Sequence, residues 1–269
     1  MITLILTLAA GCGIFSLANW IADMGLGWSV FTGAAGAVAL QVLAGIFIQK
    51  FVRRDMEAVQ AVMVEGQKKL QAKMQRWQLR PPGSIQAAQK EVADDTRVFV
   101  REALGLTSRL EKYRLWVPMM DRQIATARLQ LNWMIKDFAM VDRLLPKALL
   151  LDPMLSAIKM ARMQMTGSPI EDIRKVYRKA VARARYNQNV IPAAAMSWIE
   201  LKRGDVDGAF KTLTDALKKS DNETLKLNHA HLMNNLPAHF SNSALGDQWY
   251  GLMLEEPKVR MQRQRPVYR

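Results

Sequence analysis

The chain has 269 residues, half of them apolar, and a formal net charge of +14. A single cysteine, Cys12, excludes a disulfide framework and a cysteine-based metal site. So basic a chain favours anionic lipid, nucleic acid or an acidic protein as its neighbour.

Helix formers dominate and few segments alternate with a period of two, so the expected class is all-α. Residues 2–22 carry no charge, and after the short break around Asp23 residues 28–48 carry none either. Each run is long enough to cross about 30 Å of hydrocarbon as a helix. Residues 1–49 are therefore expected to form a transmembrane hairpin of two spans. Trp20 and Trp28 bracket its turn, where amphipathic rings suit the interface. Gly33, Gly36, Ala37 and Gly45 are small enough for close packing on the first span, and Gln41 is the one strongly polar side chain of the second.

Lys50, Arg53 and Arg54 follow the second span directly, whereas the connecting turn holds only Asp23. Retention of positive charge on the cytoplasmic side places both termini there. "LAAGC", residues 8–12, resembles a lipoprotein processing box that would lipidate Cys12. The missing basic start and the apolar residues that continue past Cys12 weigh against it.

Residues 50–80 hold eight basic and three acidic residues and read as a basic juxtamembrane helix. Met56, Met63, Leu70 and Trp77 recur every seven residues, with Val52, Val59 and Gly66 as a companion row. The seam suits a short coiled coil or, in the favoured reading, a single helix packed on the rest of the protein. "RPPGS", residues 80–84, ends it, since proline removes a donor and restricts its neighbour.

From residue 85 to 237 the chain reads as successive helices with short breaks. In "LKRGDVDGAFKTLTDALKKSDN", residues 201–222, Gly204 permits a tight turn and Asp205 can cap the next helix. Ala209 and Ala216, seven apart, share nearly one helical face and let another helix approach. "TGSPIEDIRKVYRKAVARA", residues 166–184, has a glycine turn at Gly167 and a small residue at Ala180. "KDFAMVDRLLPKALLLDP", residues 136–153, carries Ala148 and closes on Asp152-Pro153.

These stretches resemble second helices of tetratricopeptide (TPR) repeats, units of about 34 residues that stack into an α-solenoid. The small positions 148, 180 and 216 lie 32 and 36 residues apart. Glu200 stands where the family usually has a large aromatic residue, and Pro146 interrupts the first unit. Two spans, a basic helix and cytoplasmic repeats are similar in layout to HemY-type TPR proteins of the bacterial inner membrane, which implies a multi-pass inner-membrane location. Residues 238–269 read as a capping segment, with Trp249, Tyr250, Leu252 and Leu254 docked on the solenoid's end, followed by a mobile basic tail.

Nothing in the sequence converges on catalysis. His229 and His231 diverge on a helix, His239 lies beyond Pro237, and Asp94-Asp95 suits a helix start. There is no G-x-S-x-G, H-E-x-x-H or Walker sequence. The expectation is a protein that is not an enzyme and uses no cofactor or metal. The TPR resemblance implies a protein or peptide partner held in a concave groove, with Gln130, Trp133, Trp198 and Lys202 on that face by register.

The alternative reading is electrostatic. Arg174, Lys175, Arg178, Lys179 and Arg183 form a basic helix face that could meet anionic lipid or nucleic acid at the membrane surface. The scarcity of interleaved aromatic residues disfavours single-stranded nucleic acid.

Overall fold

A computed structural model describes residues 2–20, 25–79 and 83–257; they are helical, with no strand among them. The basic tail, residues 258–269, the turn residue Asp23 and residues 80–82 of the "RPPGS" break lie outside the described residues. The chain divides into two compact units between Leu149 and Leu150, inside the stretch that the sequence presents as one repeat region.

The first unit begins with α1 (Ile2–Trp20) and α2 (Leu26–Leu79). Small residues set the packing of this pair. A Cβ on Gly11 would lie 2.7 Å from the Cβ of Ala37, and one on Gly33 would lie 2.9 Å from the Cβ of Phe15. Gly36 faces Ile14, whereas nothing comes within 4 Å of a Cβ on Gly45. Gln41 bonds across the pair: the Thr7 hydroxyl donates to its Oε1 at 2.8 Å. Most of the remaining apolar side chains face outward.

α2 does not stop where the apolar run ends. Between Ile48 and Trp77 no proline interrupts it, so one helix carries both the apolar run and the basic stretch, and the 49/50 boundary falls within it. Its seven-residue seam is used inside the molecule. Val59, Val62, Met63 and Leu70 pack on Phe99, Val100 and Ala103 of α3 (Ile85–Leu106). Val52 and Met56 pack on Leu110 and on Met120 and Ile124 of α4 (Met120–Met134). Lys73 ties the two long helices through Glu91 and Asp95.

Gly66 sits in the seam because Phe99 fills its place: a Cβ there would lie 2.4 Å from the Phe99 Cγ. Gly66→Ala is expected to destabilise the first unit by about 1–3 kcal/mol through overpacking. A second change, Phe99→Leu, should recover part of that loss in denaturant titrations of the detergent-solubilised protein.

α5 (Phe138–Leu144) is capped by Asp137, which accepts the Met140 N–H at 3.1 Å. It ends ahead of Pro146, which offers no N–H to prolong it. Ala148, expected as a packing position on a helix, therefore lies in the turn that follows α5 and is half-buried.

The second unit is built from helix pairs. α6 (Pro153–Met165) starts on an Asp152 cap with proline at its first position. It turns at Gly167, φ 71°, into α7 (Ile170–Arg183). α8 (Val190–Lys202) turns at Gly204, φ 82°, into α9 (Val206–Leu217). Left-handed backbone at both turns explains the two glycines. α8 packs against α6, α7 and α9, and α10 (Glu223–Met233) follows against α9. Ala180, Ala209 and Ala216 are buried in these contacts.

Candidate functional site

α8 is the centre of the second unit: every residue from Ile191 to Glu200 is buried. The small residues Ala193, Ala194 and Ala195 let three helices approach it closely. Its last buried residue is a carboxylate, Glu200, only 2% exposed. Arg174 of α7 donates to Glu200 Oε1 at 2.9 Å, and the Thr212 hydroxyl donates to Oε2 at 2.7 Å. The same guanidinium reaches Glu171 at 2.6 Å and also pairs with Asp205. One arginine thus joins α7, the end of α8 and the cap of α9.

That arrangement removes Arg174 from the basic face on which the sequence placed it. A signal was available in "AAAMSWIEL", where an acidic residue inside an apolar helix demands a buried cation. The sequence did not say which of the many basic residues would supply it.

Asp205 has two tasks. Its carboxylate accepts the Gly208 N–H at 2.8 Å as the N-cap of α9, and it pairs with Arg174. The Gly208 amide, and then the guanidinium, hold its carboxyl below the usual carboxylate range against the opposing effect of burial. A depressed folded-state value gives stability that is complete above the ordinary carboxylate range and is lost as pH falls through the folded value. Asp205→Asn keeps a competent cap but loses this charge. Its melting temperature should fall below that of the parent at neutral pH, with the gap closing as the solution is acidified.

Of the four residues assigned to a partner groove, Trp198 and Lys202 are neighbours on α8, with the Lys202 Nζ 5.4 Å above the Trp198 ring. Gln130 and Trp133 belong to α4 in the first unit; Gln130 is exposed, and Trp133 is buried edge-on against Phe138.

The face that carries Trp198 is occupied by the chain itself. Beyond α10, short 3-10 turns at Pro237–His239 and Ser243–Leu245 and one helical turn at Asp247–Tyr250 bring the C-terminal segment back. Asn242 donates to the Ala194 carbonyl at 3.1 Å and accepts from Asn228 at 2.9 Å. Trp249 is fully buried, its ring 6.0 Å from that of Trp198. Glu255 accepts both indole N–H groups, from Trp198 at 2.7 Å and from Trp249 at 2.8 Å. A Cβ on Gly251 would lie 3.5 Å from the Met154 methyl of α6. The segment therefore crosses α6 and α8, the first helices of the two pairs, and α10, which follows them.

The remaining basic residues divide by circumstance. Lys175 pairs with Asp172 at 2.8 Å, and Arg53 pairs with Glu57 at 2.8 Å. Arg54 lies over the Phe51 ring, while Lys50 is exposed. Arg178, Lys179 and Arg183 are exposed, with no ion pair to any described residue. His229 stacks on Phe210 and meets the Thr214 hydroxyl at 3.0 Å, and His231 lies against His239. Among the described residues no cluster of three or more His, Cys, Asp or Glu side chains could hold a metal ion.

The chain matches no known protein family, no curated protein and no solved structure. Its class rests on its own architecture. It is an all-helical protein in which one described helix, α2, is long and apolar enough to cross a membrane. A shorter apolar helix, Ile5–Trp20, lies beside it.

Proposed function

We propose that this protein is a membrane-anchored TPR-like scaffold without enzymatic activity of its own, presenting paired helices to a protein or peptide partner. α1 and the apolar part of α2 form the two spans. The small-residue packing between them and the apolar side chains directed outward support this reading. Lys50, Arg53 and Arg54 orient the hairpin with both termini cytoplasmic, and the layout suits a bacterial inner membrane. The glycine turns at 167 and 204 and the buried alanines at 180, 209 and 216 support TPR-like pairs in the second unit.

The observation that carries the binding role is the seat of residues 241–255. A largely irregular segment lies across the first helices of the pairs, fixed by two tryptophans on one carboxylate. A partner peptide with an aromatic anchor and an acidic residue would use the same seat by displacing residues 241–255, with Trp198 and Lys202 as its contacts. Cross-linking of native membranes followed by mass spectrometry tests this. A stoichiometric partner should cross-link near Trp198 and Lys202, survive moderate salt in mild detergent, and be released by Trp198→Ala.

Exposure of Arg178, Lys179 and Arg183 favours a second reading, adhesion of α7 to anionic lipid or nucleic acid. In that case binding to anionic liposomes or RNA collapses as salt rises, and no partner survives purification.

A further inference from the structure

The stretch "RLWVPM", residues 114–119, joins the 3-10 helix Thr107–Tyr113 to α4 and belongs to neither. Leu115 is 62% exposed, Trp116 39% and Met119 58%, so three large apolar side chains crowd one short connection. A loop presenting only to water gains nothing from such residues. The connection is held in place nonetheless. Val117 and Tyr113 pack on the cluster of Leu110, Met120 and Ile124. The Tyr113 hydroxyl donates to the buried Asp55 of α2 at 3.0 Å, and Lys112 pairs with the same carboxylate at 3.0 Å.

Its height along α2 is fixed by a further contact: the Thr3 hydroxyl donates to the Trp116 carbonyl at 3.2 Å. Thr7 with Gln41, Gly11 with Ala37 and Phe15 with Gly33 set the antiparallel register of α1 on α2. Continued outward, that register places Thr3 level with Gly45. Gly45 lies five residues before Lys50, so the Trp116 carbonyl stands about 7.5 Å inside the basic flank of the apolar run at the helical rise.

The geometry points to a third membrane contact: we infer that the 114–119 loop is an interfacial wedge whose Leu115, Trp116 and Met119 enter the headgroup–acyl boundary of the bilayer that holds α1 and α2. Tryptophan and aliphatic side chains suit that depth, and Arg114, which pairs with Asp121, and Arg122 lie within three residues of them in the sequence and suit lipid phosphates. The occupant is lipid rather than protein because the loop is fastened at Thr3 to the end of α1, close in sequence to the exposed Ile5 and Leu6 of the apolar run. The inference rests on the membrane hairpin proposed above, and its test separates the two.

The full-length protein carrying Cys12→Ala receives one cysteine at a time, at Leu115, Met119, Leu43 or Gln130, and each is labelled with an environment-sensitive fluorophore. The four proteins are reconstituted into vesicles of phosphatidylethanolamine and phosphatidylglycerol. Shallow nitroxide lipids should quench the label at 115 and at 119, with loss of quenching by aqueous iodide, while the label at 130 responds to iodide alone. Iodide quenching at 115 and 119 with lipid quenching retained at 43 overturns the wedge and leaves the hairpin standing. Shielding of 115 and 119 from both quenchers also overturns it, since a protein surface then covers the loop. Absence of lipid quenching at 43 removes the hairpin and the wedge together.

Discussion

Trp249→Ala is expected to destabilise the second unit by about 3–5 kcal/mol, the range for emptying a buried aromatic site. The side chain has no exposed surface, stacks edge-on to Trp198 and shares Glu255 with it. Removing it also frees the segment that covers α8, so the loss should have two readouts. Denaturant titration followed by circular dichroism should give an earlier midpoint, and limited proteolysis should cut between residues 241 and 257 under conditions that leave the parent intact. Trp249→Phe keeps most of the apolar area and gives up one hydrogen bond, for a loss of about 1 kcal/mol from the bond itself. If the alanine variant unfolds with the parent's midpoint and resists protease equally, the segment is not anchored as described.

Arg174→Met is expected to cost about 3 kcal/mol, because it leaves the carboxylate of Glu200 buried with only the Thr212 hydroxyl for company. The Arg174 side chain keeps 28% of its surface in solvent, which places the effect at the lower end of the range for broken buried pairs. The control is decisive in the opposite direction. Glu200→Met added to Arg174→Met removes the stranded charge and should return much of the lost stability, since apolar replacement of a buried pair is frequently near neutral. Equilibrium unfolding of the single and double variants gives the coupling directly. Equal losses in both would mean that the arginine acts through packing rather than charge.

The distribution of what could be read in advance follows the range of the interactions. The all-α class, the two apolar runs, the end of α2 at Leu79 and the glycine turn before Asp205 depend on residues close together in sequence, and each is visible there. The continuity of α2 was obscured because hydropathy changes sharply at Lys50 while helix propensity does not, so a change of environment resembled a change of element. Ala148 followed a repeat pattern that Pro146 cuts short. The Arg174–Glu200 pair joins positions 26 residues apart, and the Trp198–Glu255 bond joins positions 57 apart. No local period encodes either partner. Trp198 could be singled out from sequence as a candidate contact, but the segment that covers it could not.

The 54 residues of α2 form one uninterrupted rod, about 80 Å long at the helical rise. Roughly its first two-fifths sits in the apolar run and its outer part is clamped by α3 through Val59, Leu70 and Lys73. In the membrane anchor proposed above, a shaft without a joint converts any tilt imposed by bilayer thickness into a sideways swing of the clamped end, so lipid chain length would steer where that end can reach.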